Sequence, residues 1–578
     1  MSKVLIESRE SIVESIKRTH PWILKIAQNS GSHEEFKKKI VEKSLNYLKE
    51  NTAALDYFYT SGGINGFYEL EYHHYAVIRI LDYAENEGKF FEDQNTSDNT
   101  QQSRPFEILF NGLKKNTIEA SSDFFLDWKE LLDQLEKNTN FYAVSPDCLE
   151  SWINRHPDGF DEKIILRRAE NKLRIVEVIV DLIDSGKKID SKYFFKKGVQ
   201  RREKISLALE WWSDYRFHLR FAARDPETLN LFLGNSLSPE TLTILNDARD
   251  AGIPFFINPY YASLLDVEPH MVKKRDDLVI REYILYSRSL VDAFGSISAW
   301  EKEDIIEFGK PNAAGWMLPS GGNVHRRYPD SAILIPNTRG RACGGLCTTC
   351  QRMYNLQKNQ EELDIDKLAP RKTWSEKLVE LMGYFKDDTQ LKDILITGGD
   401  ALMSTDKSLK NIFDEIIKMA REKSILNMDK KEGDKIAPIK RIRLGTRLPA
   451  YLPQRITGHL GSILKDFKKR GLAVGIEQFV VQTHFESAME ITPLVYDAIK
   501  ILQNSGWTVV NQTVFTGSSS RRGHTVKLRQ ILGKLGVYPY YTFAVKGFKE
   551  NSELFATNAR LVQEMLEEKS FGLSFRNG

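Results

Sequence analysis

Short apolar runs alternate with amphipathic segments after about residue 330. The apolar runs cover residues 332–335, 394–396, 442–444, 472–481, 507–510 and 537–545. The amphipathic segments between them cover residues 374–385, 407–422, 493–505 and 526–535. Alternating strands and helices are typical of a parallel sheet covered by helices. We therefore predict an α/β fold with six βα units, a partial (βα)6 barrel rather than the closed barrel of eight.

Residues 1–235 show helical periodicity instead. In the segment 162–185, apolar side chains recur every three or four residues, at Leu166, Ala169, Leu173, Val176 and Val180. This spacing places them on one face of a helix, which we expect to be buried. The pattern predicts three parts: a mainly α-helical N-terminal region of unassigned role over 1–235, a helical pre-barrel segment over 236–325 and the partial barrel over 326–578.

Composition and charge exclude several classes of protein. The 578 residues include 82 Lys+Arg and 79 Asp+Glu, a formal net charge of +3, whereas nucleic-acid-binding domains are usually clearly basic. No stretch approaches the roughly 18 apolar residues of a membrane helix, and charged residues occur too early at the N-terminus for a signal peptide. We expect a cytoplasmic protein that binds neither nucleic acid nor membrane. The sequence does not determine the oligomeric state, and a homo-oligomer is one of the possibilities.

Three of the four cysteines, Cys343, Cys347 and Cys350, lie close together in the sequence. So few cysteines in a chain of this length indicate a metal or redox site in a reducing compartment rather than a disulfide framework. Structural zinc and [4Fe–4S] clusters usually take four protein ligands. Three thiolates on such a cluster would leave one iron open to another ligand, although a zinc loop or three packed cysteines would show the same spacing.

The cysteine loop resembles the C-x3-C-x2-C signature of the radical S-adenosylmethionine (radical SAM) superfamily. The resemblance implies a [4Fe–4S] cluster on Cys343, Cys347 and Cys350, with S-adenosylmethionine bound at the fourth iron. It also implies a reducing electron donor, because electron transfer into the sulfonium releases the 5′-deoxyadenosyl radical.

Further motifs follow in order along the same part of the chain. They are Pro259-Tyr260-Tyr261, Arg327-Tyr328-Pro329-Asp330, Thr397-Gly398-Gly399-Asp400, Gly445-Thr446-Arg447, Thr483-His484-Phe485 with Glu490-Ile491-Thr492, Asn511-Gln512-Thr513 and Pro539-Tyr540-Tyr541. Together with the cysteine loop they resemble the lysine 2,3-aminomutase (KamA-like) family of radical SAM enzymes, from about residue 252 to residue 575.

The resemblance implies roles for these residues. It implies a pocket for S-adenosylmethionine at the strand ends, built by Gly398, Gly399, Asp400, Arg447, His484, Asn511 and Gln512. Members of the family also use pyridoxal phosphate, for which Arg327 and Tyr328 are the matching residues. Arg352 matches the arginine that binds the substrate carboxylate. For each polar residue, an ordinary hydrogen bond within a loop is the alternative.

Three features depart from the pattern of the family. Ser331 stands where typical members carry a second arginine, and no residue of the sequence matches the lysine that holds pyridoxal phosphate. Lys546 stands where lysine-specific members carry an aspartate. A cation there would repel the side-chain ammonium of lysine and attract a carboxylate, as in glutamate 2,3-aminomutases, unless Lys546 points to solvent.

The resemblance, with these departures, implies an isomerase that shifts an amino group between adjacent carbons of an α-amino acid, a small-molecule substrate that is glutamate-like rather than lysine-like. Arg352 would bind the α-carboxylate and Lys546 would select the side chain. A second hypothesis keeps the radical chemistry without the aminomutation, on another substrate. A third is a metal-stabilised, non-catalytic interaction protein.

Overall fold

The computed structural model describes most of the chain. The described residues are 9–59, 70–92, 100–120, 122–136, 146–267, 276–298, 307, 309–319, 322–337, 343–350, 353, 373–545, 549–557, 560–562 and 564–565. The chain forms two compact units, one of Met1–Arg155, Phe515–Gly523 and Ser552–Gly578, the other of His156–Val514 and His524–Asn551. Within the described residues, each helix is too short or too polar to cross a bilayer.

The first unit is mainly helical. Its elements are α1 (Arg9–Thr19), α2 (Pro21–Gln28), α3 (His33–Lys49), α4 (Thr52–Tyr59), α5 (Tyr72–Asn86), β1 (Phe90–Glu92), β2 (Thr100–Gln102), α6 (Pro105–Lys115), α7 (Ser122–Leu135) and α8 (Pro146–Asn154). Strands β1 and β2 pair antiparallel. Apolar side chains of α1 to α7 form one core, in which the ring of Trp128 lies 5.2 Å from that of Phe106 in an edge-to-face contact.

Eight helices begin the second unit. They are α9 (Glu162–Asp184), α10 (Arg201–Trp211), α11 (Tyr215–Arg220), α12 (Pro226–Phe232), α13 (Pro239–Ala251), α14 (Pro259–Ala262), α15 (Leu278–Ile284) and α16 (Arg288–Ala293). Asp161 caps the first turn of α9, because its side chain accepts a hydrogen bond from the Lys163 N–H. Gly252 ends α13 in a left-handed conformation with φ +83°.

The helix predicted over residues 162–185 is confirmed as α9, but its predicted buried face is partly wrong. Leu166 is 60% exposed and Leu173 is 44% exposed. Asn171 is buried in their place, and its side-chain amide donates a hydrogen bond to the carbonyl of Ser263 at 3.0 Å. This part of the core contains polar backbone groups that need partners, so a polar side chain is buried on α9.

A seven-stranded sheet organises the rest of the second unit. Its order is β3 (Val324–His325), β4 (Ser331–Leu334), β5 (Asp393–Ile396), β6 (Arg441–Gly445), β7 (Gln478–Thr483), β8 (Thr508–Phe515) and β9 (Tyr538–Ala544). Strands β4 to β8 pair in parallel, whereas β3 pairs antiparallel with β4. The helices between β4 and β9 are α17 (Trp374–Asp387), α18 (Asp406–Leu426), α19 (Leu448–Tyr451), α20 (Gly458–Leu472), α21 (Pro493–Asn504) and α22 (His524–Lys534).

The mixed α/β class is confirmed, and each predicted strand overlaps one of β4 to β9. The run 472–481 is wrong at its start, because α20 extends to Leu472 and β7 begins only at Gln478. Between them the chain turns at Gly475, which has φ +87°. The pattern also missed β3 and α20. The partial barrel and the three predicted parts of the chain stay predictions.

The two faces of the sheet differ in polarity. On one face Leu334, Ile396 and Leu444 are fully buried. The alternate positions point to the opposite face, where Arg443 Nε donates to Asp393 at 3.0 Å. The predicted site residues lie at or near the carboxyl ends of these strands.

Candidate functional site

The predicted pocket residues lie at or near the ends of consecutive parallel strands. Gly398, Gly399 and Asp400 follow β5, Arg447 follows β6, His484 follows β7, and Asn511 and Gln512 lie within β8. The carboxyl ends of parallel strands meet at one edge of a sheet. The cysteine loop follows β4 and reaches the same edge, since Nη1 of Arg447 lies 3.3 Å from Sγ of Cys347.

Two glycines allow the cysteine loop to approach α19. A Cβ atom on Gly344 would lie 2.7 Å from the side chain of Leu448, and one on Gly345 would lie 3.1 Å from the ring of Tyr451. The Tyr451 hydroxyl is 3.6 Å from Sγ of Cys347. The glycines between the cysteines therefore hold the thiols next to α19.

The three cysteines of the loop differ in exposure. Cys343 is exposed, and Cys347 and Cys350 are partly buried. Among the described residues, the three sulfur atoms do not all lie within 4.8 Å of one another. Thiolates around one tetrahedral zinc ion would lie about 3.8 Å apart. At least two of the three sulfur atoms are therefore farther apart than the thiolates of one tetrahedral zinc ion.

Residues that precede the sheet anchor the cysteine loop. The Asn258 amide donates to the carbonyl of Gly344 in the loop at 3.4 Å and to that of Tyr451 at 2.8 Å, and its Oδ1 accepts the N–H of Tyr261 at 2.9 Å. The Thr348 N–H donates to the carbonyl of Tyr283 at 3.1 Å. The loop is thus tied both to α15 and to the start of α14.

Arg447 is buried among aromatic rings. Its guanidinium carbon lies 3.4 Å from the ring centroid of Tyr283 and 4.4 Å from that of Tyr451. Its Nη2 forms a buried ion pair with Oε1 of Glu490 at 3.0 Å. Its Nε is buried without an acceptor in the described part of the chain. A buried donor without a protein acceptor is rare and needs an explanation.

Asp400 fixes the loop after β5 to the loop after β6. Its Oδ1 accepts the Thr446 hydroxyl at 2.7 Å and the Leu402 N–H at 3.0 Å, and its Oδ2 accepts the Arg447 N–H at 2.6 Å. Burial raises the pKa of Asp400 to about 6, although these hydrogen bonds favour the carboxylate.

Gly398 makes room for this loop. Its φ is +112°, and a Cβ atom there would lie 2.6 Å from the side chain of Ile335. A residue with a side chain would both strain the backbone and displace the end of β4. The missing side chain thus lets the loop after β5 pack closely against Ile335.

His484 belongs to a buried hydrogen-bonded network. Its Nε2 bonds the Glu486 carboxyl, and the Tyr283 hydroxyl lies 3.1 Å from its Nδ1. Burial lowers the pKa of His484 well below its usual value and raises the pKa of Glu486 well above its usual value. A neutral imidazole that donates from Nε2 and accepts the Tyr283 hydroxyl proton at Nδ1 satisfies all these groups.

Asn511 and Gln512 differ in their surroundings. Asn511 is buried, and its side chain bonds both the N–H and the carbonyl of Phe485, at 2.7 and 3.1 Å. Gln512 is on the polar face of the sheet, where its Oε1 accepts from Gln482 at 2.6 Å. Asn511 therefore shapes the loop that carries His484, while Gln512 belongs to the polar face.

The residues predicted to hold pyridoxal phosphate are more open. Tyr328 is 64% exposed, and Arg327 Nε donates to the ring of His325 at 3.2 Å. Ser331, which replaces an arginine of the family pattern, accepts from Nη2 of Arg443 at 2.9 Å. These contacts do not enclose a phosphate, so pyridoxal phosphate stays a prediction. The predicted substrate-binding residues Arg352 and Lys546 lie outside the described residues.

The sequence analysis missed several residues of this site. Tyr261 and Glu490 were part of motifs but had no assigned role, and Tyr283 and Tyr451 had no motif at all. Their signal is tertiary, because three distant segments bring them to one guanidinium. Arg326 was also missed, although it directly precedes Arg327.

Comparisons with known proteins agree with this geometry. No protein-family model matches the chain. An uncharacterized KamA family protein of Methanocaldococcus jannaschii is 30% identical over 437 residues, 74% of this chain and 59% of that protein. The chain is thus similar to a KamA family protein over about three quarters of its own length. The matched length exceeds what residues 252–575 supply, so the KamA-like similarity reaches beyond the segment that carries the motifs.

Two further KamA-like relatives carry names of enzymes. The L-lysine 2,3-aminomutase of Methanococcus maripaludis is 28% identical over 333 residues, 57% of this chain and 64% of that protein. The glutamate 2,3-aminomutase of Clostridioides difficile is 27% identical over 391 residues, 66% of this chain and 77% of that protein. The chain thus spans about three fifths of the length of the first two relatives.

Proposed function

We propose that this chain is a radical SAM enzyme that shifts an amino group between adjacent carbons of an amino acid. Cys343, Cys347 and Cys350 would hold a [4Fe–4S] cluster, and S-adenosylmethionine would bind beside it at the strand ends. The observation that carries the proposal is the contact between Cys347 and Arg447, which brings the cysteine loop to the edge where Gly398 and Asp400 lie. The fold that we propose around this site is the partial (βα)6 barrel.

The bound cluster would supply one electron to the sulfonium of S-adenosylmethionine. Three residues of the chain shape the place where S-adenosylmethionine would bind. Gly398 lets the loop after β5 pack directly against Ile335, and Asp400 holds the two strand-end loops together. Arg447 offers a buried Nε–H that has no acceptor among the described residues.

The proposed substrate is an amino acid with an acidic side chain. The support is the lysine at position 546 and the similarity to a glutamate 2,3-aminomutase as well as to lysine 2,3-aminomutases. Arg352 would bind the α-carboxylate, and a cytoplasmic electron donor would reduce the cluster. Arg327 and Tyr328 would contact pyridoxal phosphate, if the full enzyme binds it.

The test is anaerobic reconstitution with iron and sulfide, followed by incubation with S-adenosylmethionine, dithionite and single amino acids. We expect 5′-deoxyadenosine in every active sample and a β-amino acid with glutamate more than with lysine. The variant Cys347→Ala should lose both products, whereas Cys148→Ala, at the cysteine outside the triplet, should keep them. Deoxyadenosine without any β-amino acid would favour a radical SAM enzyme of another substrate, and no deoxyadenosine would contradict the proposal.

A further inference from the structure

We infer that Arg447 sets the reduction potential of the cluster by donating a hydrogen bond from its guanidinium to the sulfur of Cys347. The inference rests on the proposed function and goes beyond it, since the resemblance places Arg447 only in the S-adenosylmethionine pocket. Nη1 of Arg447 lies 3.3 Å from Sγ of Cys347. Hydrogen bonds and positive charge at a cluster thiolate favour the reduced state, because the cluster gains one negative charge on reduction.

The surroundings keep this guanidinium in place and increase its effect. Arg447 is buried between the rings of Tyr283 and Tyr451, and the Tyr451 hydroxyl lies 3.3 Å from the same Nη1. Little water can screen a charge in such a site, so its interaction with a neighbouring thiolate is strong. Arg447 is therefore a positioning residue that acts through Cys347.

Glu490 opposes the effect of Arg447. Its Oε1 pairs with Nη2 of Arg447 at 3.0 Å, and its Oε2 accepts the N–H groups of Glu486 and Ser487 at 2.5 and 3.0 Å. The Glu490 carboxylate thus weakens the positive potential that the Arg447 guanidinium produces at the sulfur of Cys347. The two residues should move the potential in opposite directions when each is made neutral.

The experiment is a redox titration of the reconstituted full chain, followed by electron paramagnetic resonance of the reduced cluster. Dithionite donates the single electron. Arg447→Gln removes the charge beside Cys347, and Glu490→Gln keeps the arginine but removes its counter-charge. Arg455→Gln is the matched control, because Arg455 is also a buried arginine with an ion pair, to Asp406 at 2.6 Å. Iron content and circular dichroism are measured for each variant.

We expect a more negative midpoint potential in Arg447→Gln, a more positive one in Glu490→Gln, and the wild-type value in Arg455→Gln. Equal potentials in the wild type and in Glu490→Gln would overturn the inference, even if Arg447→Gln failed to assemble a cluster. So would shifts of the same sign in both variants, which a purely structural role would produce. A wild-type protein that forms no cluster would instead contradict the proposed function.

Discussion

The N–H of Arg447 donates to the carboxylate of Asp400 at 2.6 Å, across the gap between the loops that follow β5 and β6. The same backbone segment directs the Arg447 side chain toward Cys347. The Asp400 carboxylate, after β5, therefore holds the segment after β6 so that the Arg447 guanidinium lies next to the thiol of Cys347. The geometry of the site depends on this link between two motifs that lie 47 residues apart in the sequence.

Asp400→Asn should destabilise the protein by about 1–3 kcal/mol. Each carboxylate oxygen accepts from at least one backbone N–H, so either orientation of an amide would place its NH2 group against a donor and leave a buried N–H unpaired. Urea unfolding measures the change. Asp434→Asn is the control, because Asp434 is exposed, and equal stability of the two variants would contradict the role of Asp400.

Gly398→Ala should also destabilise the chain, by about 1–2 kcal/mol for the backbone conformation alone. Its φ of +112° disfavours any side chain, and the new Cβ would lie 2.6 Å from Ile335. Gly383→Ala provides the matched control within α17, where a Cβ would meet nothing within 4 Å. We expect that variant to gain about 0.5–1 kcal/mol. Thermal or urea unfolding of the two variants measures these changes in stability. A Gly398→Ala variant as stable as the wild type would contradict the prediction, because the loop would then accept a side chain without strain.

Arg326→Met should cost about 3 kcal/mol, since it leaves the partner of a buried ion pair without its cation. Arg326 is 1% exposed, pairs with the carboxylate of Asp388 and stacks 3.6 Å from the Trp316 ring centroid. The exposed pair of Arg201 with Asp181 is the comparison, and Arg201→Met should cost at most about 1 kcal/mol. Similar losses of unfolding free energy in Arg326→Met and Arg201→Met would mean that the pair of Arg326 with Asp388 stabilises the protein no more than an exposed pair does.

Arg326 also orders the loop that carries Arg327. Its Nε donates to the carbonyl of Tyr328 at 3.2 Å, and its Nη2 donates to that of Pro329 at 2.5 Å. We therefore expect faster hydrogen exchange of residues 327–330 in Arg326→Met than in the wild type. Arg201→Met should leave the exchange of this loop unchanged.

His218 should make stability depend on pH between about 4 and 6.5. Burial lowers the pKa of His218 to about 4, and its Nδ1 has no partner in the described part of the chain. The unfolded state then binds more protons in this range, so stability rises with pH there and is lost as pH falls, by about 3 kcal/mol in total. Urea unfolding at several pH values measures this slope.

His218→Gln should remove that part of the slope. His459→Gln is the control, because the His459 side chain is 74% exposed. An unchanged slope in His218→Gln would mean that other groups cause the acid sensitivity.

The sequence determined the α/β class, the positions of most helices and strands of the sheet, and the motifs that lie at the strand ends. These features are local: periodicity reports which face of an element is buried, and a cysteine triplet or a Gly-Gly-Asp turn is written in consecutive residues. The prediction of the α9 face was wrong in part, because Asn171 is buried to satisfy backbone groups of a segment about 90 residues away.

Only the tertiary structure decided what surrounds the guanidinium of Arg447. Tyr261, Tyr283 and Glu490 come from three distant segments, whereas Tyr451 lies four residues after Arg447. No periodicity links the three distant residues to Arg447, since their meeting depends on how α14 and α15 pack against the strand ends. Long-range packing selects such contacts by shape and by the need of each buried polar group for a partner, and neither is encoded in any short stretch of the chain.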